Sequence, residues 1–215
     1  MASGPKLHLG CGGVYLDGYR NIDLPIEQHG IQDAIRPDVH ADITTLEFAP
    51  GSVSEIRLHH VFEHFDRPTA LRLLIDWYQW LEPGGKLVIE TPDFARSART
   101  LIWKRSPADQ MKILRHVFGS HEAEWAHHCD GWYPARFRRI LGQFGFVKVK
   151  SRRSAWRGTF NVTARACKPH GASKTRDELL DIGDRVLRLS LVDNSVSERR
   201  VLEVWRSAMR QSVSR

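Results

Sequence analysis

The run Lys6-Leu7-His8-Leu9 passes without a break into Gly10-Cys11-Gly12-Gly13. A short strand that stops on glycines marks a parallel α/β sheet, where ligands sit beyond the carboxyl ends of the strands. A side chain in that turn would hold the ligand off the backbone. Residues 21–24, 38–42 and 54–59 read as further strands, and 86–90 contains the unbroken apolar run Leu87-Val88-Ile89 of a strand covered on both faces. Residues 68–81 place Leu71, Leu74, Trp77, Tyr78 and Leu81 at helical spacing before the stop Glu82-Pro83-Gly84-Gly85. The expected architecture is α/β with a mostly parallel sheet.

Downstream, 92–118 reads as helical and 119–132 as a polar loop or lid rich in histidine and aromatics. Residues 134–144 form a helix closed by Gly145, and 146–150 and 159–166 an antiparallel hairpin at the sheet edge. Beyond residue 168 the pattern changes to two helices with Asn194-Ser195 as break and cap. This divides the chain into a ligand-binding domain, 1–168, and a helical tail, 169–215. The stripe Leu179, Ile182, Val186 and Leu189 needs cover from the domain's own body or a partner chain, a homodimer being the commonest solution.

Composition narrows the function classes. With 41% hydrophobic and 27% charged residues, and no apolar run of spanning length, the chain reads as a soluble globular protein. The start Met-Ala-Ser-Gly-Pro-Lys lacks a signal-like apolar run, so the expected compartment is the cytoplasm. Cys11, Cys129 and Cys167 are too few and scattered for a disulfide framework. The net charge of +7 is concentrated: 131–176 holds twelve Lys and Arg and no Asp or Glu. Such asymmetry points to an anionic partner, which can be nucleic acid, an anionic membrane surface at the inner face, or a phosphate-linked substrate.

Two motif readings fail on context. GxGxxG would need glycine at Tyr15, and Asp23 comes too soon for the dinucleotide acid. His60-Val61-Phe62-Glu63-His64 spells HxxEH but follows a strand directly, whereas a metalloprotease carries that pattern within a long helix.

Taken in order, Leu7-His8-Leu9-Gly10-Cys11-Gly12, Asn21-Ile22-Asp23, Ala41-Asp42-Ile43, His59-His60-Val61-Phe62-Glu63-His64, Leu81-Glu82-Pro83-Gly84-Gly85 and Thr91-Pro92-Asp93 resemble the motifs of class I S-adenosylmethionine-dependent methyltransferases. The likeness spans residues 5 to 167, and the short Gly18-Tyr19-Arg20-Asn21-Ile22-Asp23 connection most resembles the small branch associated with polysaccharide and O-antigen assembly. The resemblance implies a Rossmann-like sheet and S-adenosyl-L-methionine as cofactor. Backbone at Gly10, Cys11 and Gly12 would meet its methionine part, Asp23 the ribose hydroxyls, Asp42 and Ile43 the adenine, with His59 also on the cofactor side. One departure is plain: between the glycine turn and Asp23 there is room only for a loop, where most relatives place a helix.

Methyl transfer from an activated sulfonium needs alignment above all, and a base only for a hydroxyl acceptor. His60, Asp93, His127 and His128 are the candidate bases. Trp103, Trp125, Trp132 and Tyr133 offer aromatic faces that suit a sugar ring or a core equally. Some quinone-biosynthesis and small-RNA 3′-end methyltransferases hold a divalent ion through ExxEH and a later histidine. Here His60 replaces the first Glu, so no metal is expected; Glu63 and His64 with one of His121, His127 or His128 are the alternative. The leading reading is an O-methyltransferase acting on a sugar or lipid-linked glycan. An RNA or small-molecule methyltransferase is the second, and a non-catalytic cofactor-binding subunit the third.

Overall fold

The computed structural model describes residues 3–29, 36–103 and 106–211. Residues 104–105 of the expected helical stretch and 212–215 of the expected tail lie outside them. Seven strands form one sheet: β1 (Lys6–Leu9), β2 (Arg20–Asp23), β3 (Val39–His40), β4 (Val53–His59), β5 (Leu81–Pro92), β6 (Val147–Trp156) and β7 (Thr159–Cys167). Their order is β3-β2-β1-β4-β5-β7-β6. The first five run parallel, and β7 and β6 are antiparallel additions, as the hairpin pattern predicts. The chain leaves β1 for one neighbour and returns through β4 on the other side, so the switch point lies at the carboxyl ends of β1 and β4.

Among the described residues six α-helices accompany the sheet: α1 (Arg67–Trp80), α2 (Phe94–Ile102), α3 (Pro107–Phe118), α4 (Pro134–Gln143), α5 (Arg176–Arg188) and α6 (Val196–Arg210). Asp66 caps α1 by accepting from Thr69 N, and Pro68 fits its first turn. The expected helical stretch 92–118 is two helices, because Ser106 caps a new start and Pro107 cannot continue an old one. β5 is longer than the sequence predicts and begins at Leu81, running through Glu82-Pro83-Gly84-Gly85. Gly84 has φ +81°, and a Cβ there would lie 2.4 Å from the His170 ring. Lys168 fixes the same corner: its buried ammonium donates to Leu81 O at 2.8 Å and lies 5.0 Å from the Tyr78 ring centre, and burial lowers its pKa.

The tail helices lie against α1. Leu179, Ile182, Val186, Leu187, Leu202 and Met209 join the same buried cluster as Leu74, Trp77 and the sheet residues Leu58 and Leu87. Thr175 and Glu178 form a capping box at the start of α5, and Ser195 caps α6. Asp184 on α5 pairs with Arg206 of α6, which links the two helices, and with Arg188 on its own helix; Arg206 first and then Arg188 depress its pKa to about 2. Leu189, the last member of the expected stripe, is exposed. The rest of the stripe is covered within the chain, which removes the motive for a partner copy at that face. No described helix is long and apolar enough to cross a membrane.

Candidate active site

The carboxyl ends of β1, β2 and β4 open on a cavity of about 770 Å³. Gly10 closes β1 at φ +66°, and a Cβ there would lie 2.3 Å from Val61 Cγ2, so only glycine fits. Its N–H donates to Ile22 O at 2.8 Å, which binds the turn to β2. Gly12 N–H donates to Asp23 Oδ2 at 2.5 Å and Leu24 N–H to Oδ1 at 2.8 Å. These bonds hold the Asp23 carboxylate, 6% exposed, at the cavity wall. Burial, then the charge of Asp23, pushes the Cys11 thiol up to about 12, so it stays neutral. Asp42 caps the turn Ile43–Thr45, its Oδ1 accepting from Thr44 N and Thr44 Oγ1 at 2.8 Å each. Gly10, Cys11, Gly12, Asp23, Asp42, Ile43 and His59, all expected on the cofactor side, line this one cavity.

Sequence reasoning missed His29. Its imidazole is 5% exposed and Nε2 lies 3.2 Å from Asp23 Oδ1, but neither ring nitrogen has a hydrogen-bond partner among the described residues. Trp125 stands edge-on to it at 5.5 Å and donates its indole N–H to Gln28 O at 2.6 Å. The expected loop thus reaches the β2 side of the cavity, and it is pinned rather than loose: Gly119 bridges to His127, and Cys129 N–H donates to Glu63 O at 2.8 Å.

Beside the glycine turn lies a cluster of histidines and carboxylates. His60 lines the cavity with φ +56°, an uncommon conformation for a residue with a side chain. Its Nδ1 is 3.2 Å from Oε1 of Glu63, which is only 2% exposed. Burial works to lower the His60 pKa, but the Glu63 hydrogen bond and the charges of Glu63 and Glu90 outweigh it and leave the pKa raised. Burial likewise opposes the Glu63 charge, and His60 prevails with help from His128 and His64, so Glu63 sits below the ordinary carboxylate value. Glu90 accepts from Thr163 Oγ1 and pairs with His59 Nε2 at 2.9 Å; chiefly through that His59 bond its pKa falls to about 2.

The other candidate bases are placed differently. Asp93 is 0% exposed, caps α2 by accepting from Arg96 N, and pairs with Arg153 Nε at 2.8 Å. It does not line the cavity. His127 is exposed, stacks on His121 and has its Nδ1 at Glu124 O. His128 stands behind the cavity with Nδ1 at Val117 O and Nε2 3.9 Å from Glu63; burial first, opposed by Glu63, takes its pKa to about 4. His116 approaches the His60 ring at 5.7 Å and contacts Asn161 Oδ1 at 2.8 Å, a second member that the sequence does not reveal. Ligand atoms of Glu63, His64 and His128 lie within 4.8 Å of one another, and Glu63 Oε2 is buried without a partner among the described residues.

Trp132 is core rather than ligand platform, packed on Phe62 and Phe137, while Trp103 is exposed. The basic segment 131–176 covers α4 and the β6–β7 hairpin. Part of its charge is committed within the chain: Arg136 to Asp130, Arg153 to Asp93, Arg176 to Asp76, and Lys168 to carbonyls.

Residues 7–89 match the family described as methyltransferase domain. No curated protein matches the chain. Among solved structures, it is similar to a chain of the complex between the Haloferax volcanii Trm112 methyltransferase activator and a methyltransferase. The identity is 15% over 81% of this chain and 86% of that one, with a TM-score of 0.54. A SAM-dependent methyltransferase from Methanosarcina mazei gives 15% identity over 79% of this chain and 94% of the other, TM-score 0.51. The S-adenosylmethionine-dependent methyltransferase SibL gives 20% identity over 78% of this chain, TM-score 0.49, and the match spans 51% of its length, about half. At these identities the likeness is one of fold: a Rossmann-like sheet with flanking helices.

Proposed function

We propose that this chain, whose residues 7–89 match a methyltransferase domain, is a class I S-adenosylmethionine-dependent methyltransferase that methylates a hydroxyl oxygen of a sugar or lipid-linked glycan. The observation that carries the reading is the pairing of His60 with buried Glu63 at the rim of the glycine-turn cavity. The cavity fits the cofactor on its own chemistry. Asp23 presents a carboxylate that can accept from a vicinal diol, and beside it stands the buried imidazole of His29, whose ring nitrogens have no hydrogen-bond partner among the described residues. Gly13 has nothing within 4 Å of where a Cβ would stand, which leaves open approach to the backbone.

When bound, S-adenosylmethionine supplies an electrophilic methyl group on a sulfonium. The chain's own work is positional and protonic. Gly10, Cys11 and Gly12 bring backbone to the methionine part, Asp23 holds the ribose, and Asp42 and Ile43 receive the adenine. Glu63 accepts the His60 Nδ1 proton, which fixes the tautomer with Nε2 as acceptor. The hydroxyl proton of the acceptor passes to that Nε2 as its oxygen takes the methyl group. Trp125, held at Gln28, lines the β2 side of the cavity. Exposed cations on the hairpin, Lys150, Arg152 and Arg157 among them, suit an anionic membrane face at which the acceptor is presented. The test is transfer of labelled methyl to sugar and lipid-linked glycan acceptors, with RNA as comparison. Label appearing in RNA and not in glycan would move the reading to its alternative.

A further inference from the structure

A second cavity, of about 560 Å³, lies between the start of α1, the segment Asp130–Gly131, α4 and the end of α5. Its charges are unbalanced. Arg67, Arg136 and Arg139 line it with Asp130 as the one carboxylate among its described lining residues. Arg136 takes both oxygens of Asp130 at 2.6 Å in a two-pronged pair. That leaves little acceptor capacity for the others: Arg67 Nε reaches Asp130 only at 4.0 Å, and it is buried without a hydrogen-bond partner among the described residues. Arg139 is exposed on the same wall. A buried guanidinium nitrogen without an acceptor is costly, and an incoming anion relieves that cost. Phe94 and Tyr133 supply ring faces in the same cavity.

We infer that this cavity binds a phosphate or diphosphate group. A tetrahedral oxyanion can take bonds from Arg67 and Arg139 at once, which a planar carboxylate like Asp130 already fails to do here. Its place also matters. Cys129 and Asp130 both donate backbone N–H to Glu63 O, at 2.8 and 3.3 Å, so one wall of the phosphate cavity is the strand of chain that holds the His60–Glu63 pair. The inference deepens the functional reading above, on which its choice of an acceptor's phosphate rests, by putting recognition in a defined cavity rather than on the exposed hairpin.

Calorimetric titration with inorganic pyrophosphate at low salt tests it on the full chain. Pyrophosphate binds the wild type, and the double variant R67Q/R139Q binds at least about tenfold more weakly, the effect of losing charge-assisted bonds. A hairpin double variant, K150Q/R152Q, keeps the wild-type affinity. A companion arm uses vesicles containing phosphatidylglycerol. Retention that pyrophosphate competes away identifies a lipid headgroup as the source of the phosphate, and pyrophosphate binding without retention identifies a soluble or glycan-linked one. Either supports the cavity. No pyrophosphate binding, or equal affinity in R67Q/R139Q, overturns it. S-adenosylmethionine affinity and melting temperature, measured on the same samples, separate this failure from failure of the cofactor site or of the fold.

Discussion

Replacing Glu63 by Gln keeps the size of a buried side chain and an oxygen for His60, but removes the charge. A charge-assisted hydrogen bond is worth about 1.5–3 kcal/mol and a neutral one about 0.5–1.5, so the exchange costs His60 about 1–1.5 kcal/mol, roughly tenfold in the rate it supports. The pH profile carries the sharper signal. In the wild type Glu63 and Glu90 raise the His60 pKa above the ordinary 6.5, so the rate falls as pH drops through that raised value and protonates the base. Without the Glu63 charge, burial acts with less opposition and the acid limb moves to lower pH. Stability shifts in a linked way. The Glu63 pKa is depressed, so its contribution is present above the ordinary carboxylate value and is lost as pH falls through the folded one. The raised His60 pKa makes its contribution complete below 6.5 and lost as pH rises through the folded value. The pair therefore stabilises most between about pH 4.5 and 6.5, and E63Q flattens that window. Steady-state rates and melting temperatures from pH 5 to 9 provide the assay, with cofactor affinity as a control. An unchanged acid limb and an unchanged kcat in a folded E63Q would refute the pairing as the source of the base.

Three further outcomes are expected. Asp23→Ala weakens S-adenosylmethionine binding by about ten- to hundredfold in calorimetry; it also lowers the melting temperature, because Gly12 and Leu24 N–H lose their acceptor, and unchanged affinity would remove Asp23 from the site. Ending the chain at Gly171 removes six buried apolar side chains from the shared core, at about 1.5–3 kcal/mol each, which exceeds the stability of most domains, so circular dichroism should show no cooperative melt; an equal melting temperature would make the tail an appendage. Saturating chelator leaves the rate within about twofold, Glu63 serving His60 rather than an ion, whereas loss restored by a divalent cation would make Glu63, His64 and His128 ligands.

Local chemistry made much of this legible in the sequence. A glycine that nothing else can replace at Gly10 and a carboxylate closing β2 at Asp23 act within a few residues, and each stands where the pattern puts it; the helix before Glu82-Pro83-Gly84-Gly85 ends at Trp80, but those residues enter β5 rather than a turn. The split of 92–118 was present in Ser106-Pro107 but hidden by helical periodicity that continues on both sides. Other features depend on distant pairs. The tail stripe shows that a face must be covered and cannot show that α1 covers it. The charge of 131–176 counts cations without revealing that Asp93, Asp76 and Asp130 hold some of them. Asp93, a candidate base in the sequence, directly follows β5, and that position makes it the cap of α2. The histidine cluster is the extreme case: the metal alternative puts His128 beside Glu63, but His116 meets His60 only because β4 and α3 converge, and no spacing rule anticipates that.

The most direct test of the account is methyl transfer from labelled S-adenosylmethionine to a panel of sugar and lipid-linked glycan acceptors, wild type against His60→Ala, with cofactor affinity measured on the same preparations. The account predicts an O-methylated product from the wild type, a rate lower by about a hundredfold or more in H60A, as for loss of a general base, and cofactor affinity unchanged. Equal rates in the two proteins, with cofactor bound by both, would contradict it.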